Sequence, residues 1–456
     1  MCSVILVSMK WKRAANITLF LLLLLTGQVL TACSPGHLGS NIIAFIRDGQ
    51  LWTIDPDGAN AFAIVTTTTP VVGYSWSPTH QLLAFRSLDE SFARTAAARR
   101  LSSNTLTGQI GDVPSTMNTI GIDGGTPITL AFSNPDVRYS DALWNTAGNR
   151  LLYRQTATTG PAVPEDAQWW ISQNDQPGGI AAKSFPTSST IPSFSYKASL
   201  IAGMANQDIF TTSLTGINKH AITSSSLPNQ PLPASLQRVL WQPAHNDSNL
   251  LYAIATPAQK GSHSPLSIQL MLLTISGQTK ALTTCTCTQF AWSPDGNSVL
   301  YSAGSTYTLL RISNKSTFTI QGEKNSVPYW SPDSRFLLLD GQHSLTLVNV
   351  VKKQQSVLLN DQQPETSTKT APSTPTSPLV QPVANSYWSA DSRHFLFLTH
   401  NRLHWQKDQL KAGKGLYTVT INDEGQPQGT PVLAATGNII QAGWTYQDAN
   451  TSFLYT

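Results

Sequence analysis

The sequence predicts an all-β protein: a single β-propeller of eight four-stranded blades, closed by pairing of its N- and C-terminal strands. Three observations predict it. A phrase of tryptophan, tight turn and apolar run recurs along the chain. Further strand-like segments follow each copy. The two ends of the chain also read as complementary parts of one blade.

The phrase is "FAWSPDGNSVLYSAG" from Phe290, "PYWSPDSRFLLLDG" from Pro328, "SYWSADSRHFLFLTH" from Ser386 and "YSWSPTHQLLAFRS" from Tyr74. Aligned on the aromatic, the copies fall at Trp76, Trp144, Trp241, Trp292, Trp330, Trp388 and Trp444, with gaps of 68, 97, 51, 38, 58 and 56 residues. Inside the longest gap, "PSFSYKASLIAG" offers Tyr196 as a substitute. Eight is the blade count with Tyr196 included, and seven is the alternative. Periods of this size signal repeat architecture.

Each element of a copy has its own reason. Alternating apolar residues before the Trp give a strand with one buried face. Pro presets φ for the turn, and Asp-Gly accepts its tight geometry. The following runs, such as "SVLYS", "RFLLLD" and "HFLFLT", suit strands covered on both faces. A third strand ("LWTID", "LTLVNV", "GLYTVTI") and often a fourth ("SVLLN", "TPVLAAT") complete a four-stranded unit of the kind propellers repeat radially. The repeated Trp, Pro and Asp are therefore packing and turn residues. At the ends, a Trp444 strand stops mid-blade while "IIAFIRDGQLWTID" supplies later strands, so joining them hides two open edges. Both "SFLYT" and "IIAFIR" read as second strands, which leaves one surplus.

The Trp-Ser-Pro-Asp-Gly phrase and "LWTIDPDG" resemble TolB-type, WD-like propeller repeats over residues 41–456. The resemblance implies the fold and little of the function, since one fold hosts many functions. The α/β domain that precedes the TolB propeller has no counterpart in this sequence. Nor does the hydrolase domain that follows the propeller in peptidases resembling dipeptidyl peptidase IV.

Residues 1–32 have another logic. Lys10, Lys12 and Arg13 precede an apolar stretch from Ile17 to Leu25, too short to span a bilayer comfortably, and the segment reads as a signal peptide. Translation from Met9 already yields a complete leader, so the start is expected there. Leu30-Thr31-Ala32-Cys33 resembles a bacterial lipobox. That resemblance implies cleavage before Cys33, lipidation of its sulfur and N-acylation (palmitate-type chains). Each buried methylene contributes about 0.8 kcal/mol, so two or three chains hold a soluble domain at a membrane. A plain secretory signal and an uncleaved anchor are the alternatives. Residues 33–40 would be the lipidated tether, and the protein extracytoplasmic, on the cell membrane or on an outer membrane where the envelope has one.

Composition excludes some functions. Charged residues are only 12% of the chain. The formal charge of +4 includes three leader cations, so the remainder is nearly neutral, with no footprint for nucleic acid. Two insertions interrupt the blades. Residues 88–115 contain helix formers in "SFARTAAARR", and the Pro/Thr/Ser-rich 361–384 buries too little apolar surface to fold.

Few residues suggest chemistry. Cys285 and Cys287 share one strand face, where two buried thiols, a disulfide, or a metal or redox role are all open readings. His394, His400 and His404 have even spacing, but a turn at Asn401 would scatter them. Trp169-Trp170 would stack sugars or peptides only if exposed. No hydrolase elbow, zincin helix, phosphate loop or dinucleotide turn occurs. The expectation is a monomeric, non-catalytic binding module for a protein, peptide or glycan, with no cofactor and no metal. A TolB-like scaffold role and a funnel-site enzyme such as a polysaccharide lyase are the rivals.

Overall fold

The structure is a computed structural model. It describes residues 41–79, 81–95, 113–157, 168–182, 192–195, 199–205, 208–214, 219–221, 232–243, 249–256, 266–323, 326–341, 344–360, 380–381, 387–399, 403–405, 408–410 and 415–444. They form an all-β chain whose strands pair antiparallel, mostly in sheets of four. Each sheet is a meander, named here by the aromatic of its first strand.

The Trp292 meander shows the pattern: Gln289–Trp292, Ser298–Ala303, Thr306–Arg311 and Thr317–Gln321 pair in chain order. The Trp241 meander runs Val239–Trp241, Asn249–Thr256, Ser267–Thr274 and Thr279–Cys285. In the Trp330 meander, Val327–Trp330, Phe336–Asp340, Ser344–Asn349 and Gln354–Asn360 are extended by a hairpin, Leu403–Trp405 with Asp408–Leu410. That hairpin belongs in sequence to the next meander. There His394–Thr399, Gly415–Thr420 and Val432–Thr436 follow a bridge from Trp388 to Phe395.

One sheet has nine strands. It joins the Trp76 meander (Val71–Trp76, Leu82–Leu88, Val113–Gly121, Gly124–Ala131) to the Trp144 meander (Leu143–Trp144, Arg150–Ala157, Gln168–Gln173, Gly179–Ala181). The connecting piece is Val137–Tyr139, which pairs with a strand of each.

The chain's ends share a sheet. Ile439–Trp444 pairs with Ile43–Arg47, then Gln50–Ile54 and Phe62–Val65 follow. Of the two segments that read as second strands, Ile43–Arg47 fills the place, and residues 452–456 lie outside the described residues.

The register identifies one further aromatic. Trp76, Trp144, Trp292 and Trp330 each face a residue seven positions on: Leu83, Leu151, Val299 and Leu337. Phe194 faces Ile201 at the same offset, and Ser195 N–H bonds to Leu200 as Ser293 does to Ser298. Phe194 therefore holds the repeat's aromatic place, in Ser193–Phe194, Leu200–Ala205, Asp208–Ser213 and Lys219–Ala221. The proposed Tyr196 lies outside the described residues. A ring at the end of a strand is specified by pairing, which aromatic character alone does not reveal.

Packing follows the second strands, buried on both faces as their unbroken apolar runs require. The apolar clusters link neighbouring meanders. Ala44 and Leu51 pack with Tyr74 and Trp76; Ala84 and Met117 with Trp144; Leu152 with Ile201; Ala202 with Trp241. Leu251 packs with Trp292, Leu300 with Trp330, and Leu338 with Trp388 and Trp444. Burying each of these leucines contributes about 1.5–3 kcal/mol. Both insertions are described in part. In the first, Glu90–Ala93 is one helical turn capped by Asp89, and residues 113–115 open a strand. In the second, Val380–Gln381 pairs with His394–Thr399, contrary to the expectation that this segment does not fold, while 361–379 and 382–384 lie outside the described residues.

Candidate functional site

Seven repeat tryptophans are buried, at 6% exposure or less. Five of their indole N–H groups run from meander to meander; those of Trp330 and Trp444 have no partner among the described residues. Trp76 donates to Gly443 O (3.2 Å), Trp144 to Ser75 O (3.3 Å), Trp241 to Ser193 O (2.9 Å), Trp292 to Leu240 O (3.3 Å) and Trp388 to Tyr329 O (3.0 Å). In every case the acceptor immediately precedes the neighbouring aromatic. The indole pins one meander to the last and is closed to a ligand.

The turns after the tryptophans are also joined. Ser293, Ser331 and Ser389 each donate to an aspartate two residues on: Asp295, Asp333 and Asp391. Burial pushes the Asp295 and Asp391 carboxyls up, but hydrogen bonds from Ser293 and Asn297, and from Ser389, Arg393 and Asn41, outweigh it and hold both below the ordinary range. Asp295 N–H donates to Ser334 Oγ (3.0 Å), and Asp333 N–H to Ser392 Oγ (3.1 Å). Both serines sit at positive φ, 60° and 59°, where Gly296 (65°) and Gly148 (67°) stand in sister turns. The side chain that strains the turn is the one that reaches the neighbouring turn.

Two buried polar groups depart from the repeat. Arg86, 1% exposed, donates through Nε to Asp141 Oδ1 and through Nη1 to Tyr139 O, both at 2.7 Å. A Cβ at Gly73 would stand 2.2 Å from Asp141 Oδ1, so only glycine fits. The second group joins the Trp330 and Trp388 meanders. Tyr387 donates to Asp340 Oδ2, and the rings of Tyr329 and Tyr387 lie 4.1 Å apart. Burial pushes the Asp340 carboxyl up to about 8, a hydrogen bond from Tyr387 opposes this, and the charge of Glu323 adds to the rise. Asp340 Oδ1 and the Tyr329 hydroxyl have no hydrogen-bond partner among the described residues.

Sequence reasoning missed a shared position three residues before the aromatic. It holds Gly73, Asp141, Arg238, Gln289 and Gln441, in or just before the first strands. Burial pushes the Arg238 guanidinium down to about 10. The readable signal was polarity where the apolar alternation calls for none.

The other sequence candidates come out as follows. Cys33 lies outside the described residues. Cys285 and Cys287 are joined in a disulfide with Cα atoms 5.2 Å apart. The fourth strand stops at Cys285, so the backbone escapes the extended spacing that would hold the two apart. His394 Nδ1 lies 3.4 Å from Asp391, and His400 is outside the described residues. No group of three metal-ligating side chains occurs among the described residues. Trp169 is buried and Trp170 half-buried, so the pair offers no open stacking platform. No helix among the described residues is long and apolar enough to cross a membrane.

The two ends of the sheets differ. At one end lie the turns after the first and third strands, none longer than 421–431. At the other, second strands end and third strands begin; the sequence between them is 89–112, 158–167, 257–266 and 400–414 in four meanders, and only 48–49, 206–207, 304–305 and 341–343 in the rest. These features define an all-β repeat protein of the β-propeller type.

No family model matches the chain, and no curated protein matches it. Solved structures do. A eukaryotic initiation factor is 13% identical, with TM-score 0.47, over 90% of this chain and 100% of that one. The C-terminal WD40 domain of Sif2 is 10% identical, with TM-score 0.46, over 78% and 83%. TolB from Acinetobacter baumannii is 13% identical, with TM-score 0.36, over 74% and 81%. At these values the likeness carries no functional argument.

Proposed function

We propose that the chain is a lipid-anchored, extracytoplasmic binding module: a closed eight-bladed propeller, without catalysis of its own, that holds a protein, peptide or glycan at one end of the ring. The observation that carries the reading is the unequal distribution of connections. Between second and third strands the connections run from two residues (304–305) to 24 (89–112), while after first and third strands none exceeds the 11 of 421–431. Loops of varied length on a rigid scaffold are the usual arrangement for a binding surface. The shared sheet of Ile439–Trp444 with Ile43–Arg47, and apolar clusters that lead from each meander to the next and back to Trp444, support closure.

The test of binding uses an immobilised panel of glycans and peptides. Replacing 96–112, or 257–265, with a short Gly/Ser link should abolish a hit seen with the unaltered protein and leave its melting temperature in place. A hit that survives both replacements would move the site elsewhere. For the anchor, Cys33→Ala should release the protein from membranes in a folded state. Retention at the membrane would refute lipidation there. For closure, deleting 439–456 should cause aggregation or loss of cooperative unfolding, because it exposes the edge of Ile43–Arg47. A monomer with an unchanged melting curve would defeat the closed ring.

A further inference from the structure

An open cavity of about 340 Å³ lies at the short-turn end of the Trp144 meander, away from the long connections. That volume is at the small end of ligand sites. Its lining includes Arg150, the amides of Gln173 and Gln176, and the apolar side chains of Ile171, Ile180 and Leu214. Ser172 and Gly179 also line it. The Ser172 side chain points to the opposite face of the sheet, where its Oγ and the Tyr153 hydroxyl are hydrogen-bonded at 2.9 Å. Gly179 admits no side chain, because a Cβ would stand 2.5 Å from Ser172 Oγ.

The charge in this cavity is one-sided. Arg150 lines it, and no carboxylate does among the described residues. Among the described residues Arg150 forms no ion pair, and its guanidinium contacts only the Asn149 carbonyl, at 3.5 Å. Beside it, Gly179–Ala181 is the last strand of its sheet, with no described strand on its outer edge. Ile180 on that strand is 56% exposed.

We propose that this cavity binds the C-terminal carboxylate of an extended peptide. Arg150 takes the carboxylate, for which its planar fork is suited. The last side chain, an apolar one, rests on Ile171, Ile180 and Leu214. The glutamine amides and the free edge of Gly179–Ala181 meet the peptide backbone, as in strand addition to an exposed edge. This site is separate from the one at the long-connection end, and either can fail without the other.

The test is calorimetric titration of the whole protein with the peptide Ac-Gly-Ser-Thr-Val-Leu, its C-terminal amide, and the variant ending in Asp. The free acid should bind saturably, and amidation should weaken it at least ~10-fold by removing a charge-assisted contact. Arg150→Gln should weaken the free acid similarly with no change in melting temperature, since Arg150 has no ion pair to lose. Ile180→Asp should do so as well, and the peptide ending in Asp should bind less well than the one ending in Leu. Equal binding of acid and amide, an unaffected Arg150→Gln variant, or no saturable binding at millimolar peptide would each overturn the proposal.

Discussion

Two arcs of the molecule hold the same four-stranded unit together by different means. From Trp292 to Trp388 the bonds are many, small and repeated. A serine holds an aspartate, the turn reaches the next turn, and the indole of Trp388 reaches back to Tyr329. From Trp76 to Trp144 the Ser-x-Asp turn is absent and the stitching is concentrated. An extra strand fuses two meanders into one sheet, and a buried Arg86–Asp141 pair sits against a glycine cut out to receive it. A repeated set of weak bonds tolerates the loss of any one. A buried charge pair does not, because removing one partner strands the other away from water.

The contrast can be broken most forcefully at Asp141. Asp141→Ala should cost about 3–5 kcal/mol, measured by denaturant unfolding, because it leaves Arg86 buried and unpaired. Adding Arg86→Met should recover most of that loss. If the double variant is no better than the single one, the pair is not the stitch.

Next comes pH, which probes Asp340, a carboxyl of the regular arc whose value is raised on balance. Asp340 titrates near 8 in the fold against an ordinary 3.8. The folded state thus holds the proton more tightly than the unfolded chain. Its stabilising contribution is complete below the unfolded value, falls as pH rises towards the folded one, and stays lost above it. A decline on the order of 5 kcal/mol from pH 4 to pH 8 is expected, absent in Asp340→Asn. Asp295 and Asp391 act in the opposite sense, since their lowered values give stability that is lost as pH falls through the acid range. Identical pH profiles for wild type and Asp340→Asn would show that the carboxyl ionises freely.

Within the indole ladder the effect is smaller. Trp292→Phe removes the donor to Leu240 O and part of the ring, for about 1–2 kcal/mol. The same change at Trp330, whose Nε1 has no described partner, should cost less. Equal losses at the two sites would mean that packing alone sets the cost. Smallest of all is Ser334→Gly. It relieves a positive φ worth up to about 1 kcal/mol but gives up the bond from Asp295 N–H, so the net should stay within ~0.5 kcal/mol. A large loss would show that the turn-to-turn bond carries more than its exposure allows.

Much of the repeat was legible because its signals are local. Pro, Asp and Gly set turn geometry through their own φ preferences, and apolar runs mark strands buried on both faces. That is why the tryptophans and most second strands fall where the spacing puts them. Phe194 was passed over because the phrase around it lacks Trp, Pro and Asp together, and only its pairing with Ile201 identifies it. Nothing in the local sequence marks Arg86 as buried or Gly73 as required. Each makes sense only beside Asp141, 55 positions from Arg86 in the chain.

The sequence by itself determined the four-stranded unit, its turn chemistry and the aromatic that each copy buries. Those properties follow from residue size, φ preference and period, which a short stretch of chain carries alone. Tertiary structure decided which strand completes the Trp444 sheet, which carboxyl is buried with a proton, and which cation is paired. Arg86 and Arg150 are the same residue type, yet one is enclosed against Asp141 and the other faces an open cavity without an acid. Desolvation and pairing belong to the neighbours that folding brings, so no reading of the residue alone can assign them.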